Sequence, residues 1–115
     1  MEELDPGTYL SEQDFFQLFK TQLKKDFEGS GINGDFTDNL LPDFHLLKEK
    51  LIQELYGVFK NSSQLAGLLY RVDNSEAQLK KYQVLSPDLN FEELIAELII
   101  KRVLQKVVLK KRFSS

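Results

Sequence analysis

Cysteine and tryptophan are absent from this chain, histidine occurs once, and proline only three times. Without cysteine there are no disulfides, no thiol chemistry and no Cys-ligated zinc. With His45 as the only imidazole, a multi-histidine metal site is excluded, and a histidine base could come from that one position alone. No run approaches the roughly 18 apolar residues of a membrane span. The opening MEELDPGTYL is acidic and lacks the apolar stretch of a secretory signal. A cytoplasmic protein with no membrane segment is therefore expected.

What is present is an ordinary globular composition, 42% apolar and 29% charged over 115 residues. That length fits one domain able to bury a core without metal or disulfide staples. A single helical domain over residues 1–115 is expected, with disorder at 1–8 and 113–115. No internal repeat or low-complexity segment interrupts it. Charge is unevenly distributed: all 18 acidic residues precede position 101. The last fifteen positions carry Lys101, Arg102, Lys106, Lys110, Lys111 and Arg112 and no acid. Such a tail suits a nucleic-acid or membrane contact, an intramolecular or dimer contact, or the negative end of a helix dipole.

Capping signals and helical periodicity divide the chain. Ser11 before Glu12 and Asp14, with Phe15, Phe16, Phe19, Leu23 and Phe27 on one stripe, predicts a helix over about 11–28, stopped by Gly29. The loop GSGINGDFTDNL follows. A second helix is expected from Leu41, with Pro42 in its first turn, to Phe59. Its apolar stripe leaves Gly57 as a weak point on the opposite side. Asn61 with Gln64 and Ser75 with Gln78 have capping-box spacing and predict helices near 62–72 and 76–83. The first of these, LAGLLYRV at its end, should thread the core.

The final segment, FEELIAELIIKRVLQKVVLKKRF, carries the densest signals. Asn90 and Glu93 form a capping box, and Leu89 and Leu94 a hydrophobic staple. Glu97 and Lys101 are spaced as an i,i+4 ion pair. Its apolar residues do not share one face. Phe91, Leu94, Ile95 and Leu98 lie together, whereas Ile99, Ile100, Val103, Leu104 and Val107 are rotated by roughly 150°. One groove cannot cover both halves, so this helix is either the centre of a bundle or shared with another chain. The β-branched residues of 102–109 leave a strand as the competing local reading.

The expected fold is all-α, a bundle of about four or five helices with a long C-terminal helix. Its core is expected to hold Phe15, Phe19, Leu23, Phe44, Leu51, Leu55, Phe59, Leu68, Leu69, Leu94, Ile95 and Leu98.

Apparent chemical motifs lack their context. Gly29, Gly31 and Gly34 fit G-x-G-x-x-G, but a helix precedes them and no βαβ unit surrounds them. Asp26, Glu28 and Ser30 resemble the start of a calcium loop, yet its twelfth position is Thr37 rather than a bidentate Glu. Asp35 and Asp38 read as solvated loop acids. His45, near Asp43 and Glu49, reads as a helix-edge side chain. No G-x-S-x-G elbow occurs. No enzyme, cofactor, metal or small-molecule substrate is expected. The expected role is a helical protein–protein interaction module that self-associates as a homodimer or holds a partner through Ile99, Ile100, Val103, Leu104, Val107 and Val108. The alternative is nucleic-acid binding by Lys106, Lys110, Lys111 and Arg112.

Overall fold

The computed structural model describes residues 12–72 and 76–113, apart from the side chains of Ser62, Glu76, Arg112 and Phe113. Five α-helices follow one another: α1 (Gln13–Gly29), α2 (Phe44–Leu55), α3 (Ser62–Arg71), α4 (Glu76–Leu85) and α5 (Phe91–Phe113). Two 3₁₀ turns, Asp35–Asn39 and Val58–Lys60, flank α2. Among the described residues there is no strand, and the fold is all-α. Residues 102–109 continue α5. Helix propensity disfavours valine by less than about 0.7 kcal/mol per residue, which burial easily outweighs. The disorder expected at 1–8 and the caps expected from Ser11 and Ser75 lie outside the described residues. At the other end, Phe113 belongs to α5 rather than to a disordered tail.

The helix ends show which local signals act. Asn90 accepts from Glu93 N at 2.8 Å and donates its own N–H to Glu93 Oε1 at 3.3 Å, a complete capping box. Asn61 caps α3 through Gln64 N at 3.0 Å, but the Gln64 amide points to Gly31 O instead of back to Asn61. The second helix starts at Phe44, later than expected, because Asp43 accepts from Leu46 N and outcompetes Pro42 as the start signal. It ends at Leu55, and Gly57 lies in the turn beyond it.

The stop of α1 explains the glycine motif. Ile32 N donates to Phe27 O and Gly31 N to Glu28 O, the two bonds of a Schellman motif. Gly31, not Gly29, takes the left-handed conformation at φ 80°. Gly34 follows against the Lys24 backbone, where a Cβ would lie 3.1 Å from the carbonyl. The following 3₁₀ turn buries Phe36 and Leu40, and Phe36 meets Phe27 edge-on at 5.1 Å. A segment that reads as a flexible polar loop is thus part of the core. Asp35 and Asp38 face Lys24 at 3.9 and 3.8 Å.

Helix α5 runs through the middle. Apart from Phe91, 52% exposed at its start, both of its apolar faces are buried by the chain itself, with Ile95, Ile99, Ile100, Val103 and Leu104 at 0% exposure. Its polar contacts reveal why the apolar face turns. The first half lies beside α2, where Lys48 reaches Glu97 and Glu93. The second half lies beside α1, where Lys106 reaches Asp26, Lys110 reaches Gln22 and Lys111 lies 4.4 Å over the Phe15 ring. The neighbour changes along the helix, and the buried face follows it.

The rest of the core largely follows the expected stripes. Phe19, Leu23, Leu51, Leu55, Leu68 and Ile95 are fully buried. Phe44, Phe59 and Leu69 pack partly exposed against the cluster. Phe16 rather than Phe15 is buried, because Phe15 faces Lys111 at the rim. The LAGLLYRV segment buries only one face, through Leu68 and Val72, while Tyr70 is 82% exposed.

One polar cluster is enclosed with the core. Asp26, 2% exposed, takes Lys106 Nζ at 2.9 Å and Gln22 Nε2 at 3.0 Å. Lys106 also donates to Arg71 O at 2.6 Å, so one ammonium ties α5 to α1 and to the end of α3. Removing one partner of a buried pair strands the other, but Lys106 keeps some solvent and the Arg71 carbonyl. Asp26→Ala is expected to lower stability by about 2–3 kcal/mol. Urea unfolding of the two proteins checks this, and a loss below about 1 kcal/mol would mean that the pair is energetically idle.

Candidate docking groove on the C-terminal helix

The residues expected to face a partner do not form a surface. Ile99, Ile100, Val103 and Leu104 are at 0% exposure, and Val107 and Val108 are also buried. The uncovered apolar face that motivated the expectation does not exist, because α1, α2 and α4 pack around this helix. The alternative basic site is likewise occupied. Lys106 and Lys110 hold Asp26 and Gln22, and Lys111 lies over Phe15 and 4.0 Å from Asp14. The side chain of Arg112 lies outside the described residues. Six bases at a helix C-terminus therefore include three that fasten this helix to α1, the intramolecular contact among the options that the charge asymmetry allows.

His45 lies on the exposed side of α2, where Nε2 meets Glu49 Oε1 at 3.1 Å. Its neighbour Asp43 is the α2 cap. Among the described residues no three His, Asp or Glu side chains converge as a metal site, and no helix is long and apolar enough to cross a membrane.

The concave surface is elsewhere, along the stripe of α5 that the buried faces leave over. Helices α4 and α5 form a hairpin joined by residues 86–90. Between them runs an open groove of about 290 Å³. Its α4 wall is Gln78, Lys81, Tyr82 and Leu85, and its α5 wall is Leu98, Lys101, Arg102 and Gln105. Both walls have the spacing i, i+3, i+4, i+7, one stripe of two helical turns each. Leu85 is 68% exposed at the open end, where a second hollow bounded by Ser86, Pro87, Asp88, Leu89 and Glu97 begins.

The groove is held in shape from below. Tyr82 Oη donates to Glu97 Oε1 at 2.6 Å, and the other oxygen of Glu97 takes Lys48 Nζ at 3.1 Å. The side chains of Lys48 and Glu97 are only 15% and 12% exposed, so this pair is shielded and geometrically fixed. Lys101 lies 4.5 Å over the Tyr82 ring, where it replaces the expected pairing with Glu97. Arg102 Nη1 donates to Gln105 Oε1 at 2.7 Å along the same wall. The lining thus combines an apolar floor with Lys81, Lys101 and Arg102, and no carboxylate stands among its described residues.

Sequence reasoning missed this site for an identifiable reason. Leu98 belongs to the buried face, and Lys101 and Arg102 belong to the basic tail, so their common stripe is visible only once the two halves of α5 are docked. The one available signal was the matching spacing in the two helices. Compared with known proteins, the chain matches no family model, no curated protein and no solved structure.

Proposed function

We propose that this chain is a non-enzymatic helical protein-interaction module, cytoplasmic by its cysteine-free composition, whose docking surface is the groove between α4 and α5. The observation that carries the reading is the pair of matched two-turn stripes, apolar at the floor and cationic at the rim, braced from below by Tyr82, Glu97 and Lys48. Pre-organised concave surfaces of mixed character favour docking because little ordering entropy remains to be lost on binding. At about 290 Å³ and open along its length, the groove lies at the small end of pockets that enclose a small-molecule substrate, which supports a macromolecular partner instead. The exposed setting of His45, paired with Glu49 and outside the groove lining, gives no support to an acid–base role. Nucleic-acid binding by the tail loses its support where Lys106, Lys110 and Lys111 engage α1.

The proposal is tested by site-specific photo-crosslinking in the native host. With p-benzoyl-phenylalanine in place of Leu85, irradiation should produce discrete protein adducts. The same group in place of Tyr70, even more exposed on α3, should not produce them. Identical adducts from both positions, or none from Leu85, would remove the groove as the docking surface.

A further inference from the structure

We infer that α4 is a detachable flap: it opens from α5 and unravels as one unit while the other four helices stay folded, with the Tyr82–Glu97 bond as its latch. Opening of this kind does not depend on the groove being a docking surface.

Burial sets α4 apart. Leu23 of α1, Leu51 of α2, Leu68 of α3 and Leu104 of α5 are all at 0% exposure. Among the described side chains of α4 none is buried. Leu79 packs partly exposed against the core cluster, and Val84 and Leu85 are 79% and 68% exposed. Tertiary burial of an apolar face is what holds a short helix in place, so α4 is the least anchored of the five.

Its packing is also local. Helix α4 lies chiefly against α5, the next helix in the chain. Lifting it away leaves the long-range ties of the core in place, Lys48 to Glu97 and Lys106 to Asp26. Nor can its ten residues hold a helix alone, since isolated helices shorter than about 12–15 residues are marginal in water. Release and unravelling therefore coincide.

The latch is a single strong bond. Tyr82 Oη donates to the Glu97 carboxylate at 2.6 Å, a charge-assisted contact across the hairpin. Breaking it strands nothing on the core side, because Glu97 keeps Lys48 Nζ at 3.1 Å. The tyrosine hydroxyl passes to water. On the α5 wall, opening bares Leu98, which is 5% exposed in the closed form.

Native-state hydrogen exchange of the full chain, followed by NMR at increasing sub-denaturing urea, tests this. After correction for unfolded-chain rates, the amides of Tyr82 to Leu85 are expected to exchange at least about a hundredfold faster than those of Leu51 and Leu104. Their urea dependence should be shallower, because a local opening exposes less surface than global unfolding. Tyr82→Phe removes the hydroxyl and keeps the ring, and it should speed α4 exchange about tenfold or more while leaving that slope shallow. Gln83→Pro, at an exposed position outside the groove lining, breaks the helix itself. It should retain a cooperative thermal transition and slow exchange at Leu51 and Leu104, losing the helical signal of α4 alone. Exchange of α4 at the rate and urea slope of the core overturns the inference, as does a Gln83→Pro chain that does not fold. Unchanged α4 exchange in Tyr82→Phe overturns the assignment of the latch.

Discussion

A chain ending after Ile100 is expected not to fold. The deleted half of α5 contributes Val103, Leu104, Val107 and Val108 to the core, each under a tenth exposed. Full burial of a Val or Leu side chain is worth about 1.5–3 kcal/mol, so their joint loss approaches roughly 6–12 kcal/mol. Whole domains of this size are stable by only about 5–15 kcal/mol. The deletion also removes Lys106 from Asp26 and exposes the floor formed by α1. Circular dichroism should show loss of most helical signal and of any cooperative thermal transition. A truncated chain that stayed folded and monomeric would restore the idea that the second half of α5 is an interface.

Val103→Glu is the second large effect, and it separates core from interface with a single side chain. Val103 has 0% exposure and belongs to the hydrophobic core cluster. The substitution forfeits the valine contacts and places a carboxylate among Ile99, Ile100 and Leu104. Lost burial and uncompensated charge together amount to about 4–6 kcal/mol at neutral pH. Burial would raise the folded-state pKa of the new carboxyl above its unfolded value. The folded state then binds the proton more tightly, so acidification through that raised pKa should return part of the stability, down to about pH 4. Denaturant titrations across this pH window measure the effect. At a true dimer interface the same change would shift the solution mass to monomer and leave the monomer's stability nearly intact.

Much of the fold was legible because its signals are local. The Asn90–Glu93 box and the Asn61 cap each bridge three residues, and the side chain, backbone and cost of failure are all contained in that span. The aromatic stripe of α1 and the leucine stripe of α2 are likewise read from one helix at a time. The loop after α1 was less legible. Its glycines and acids announced flexibility, whereas its apolar residues Ile32, Phe36 and Leu40 announced burial, Phe36 against Phe27. The shift of the α2 start from Leu41 to Phe44 has a similar cause, since a side-chain acceptor at Asp43 satisfies a free N–H and Pro42 satisfies none.

Sequence alone determined that α5 exists, where it begins, and that its two halves present different apolar faces. Those properties follow from periodicity and from interactions within one or two turns. It also established that both faces require covering. The identity of the cover was decided by tertiary structure, through pairs separated by 49, 80 and 88 residues: Lys48 with Glu97, Asp26 with Lys106, and Gln22 with Lys110. Which of two equally apolar environments a face finds depends on where distant helices pack, and no local spacing encodes that. The chain supplies the cover itself. What it leaves half-covered is Lys101, Arg102 and Gln105, which with the buried Leu98 beneath them and with α4 make the groove on which the proposed function rests.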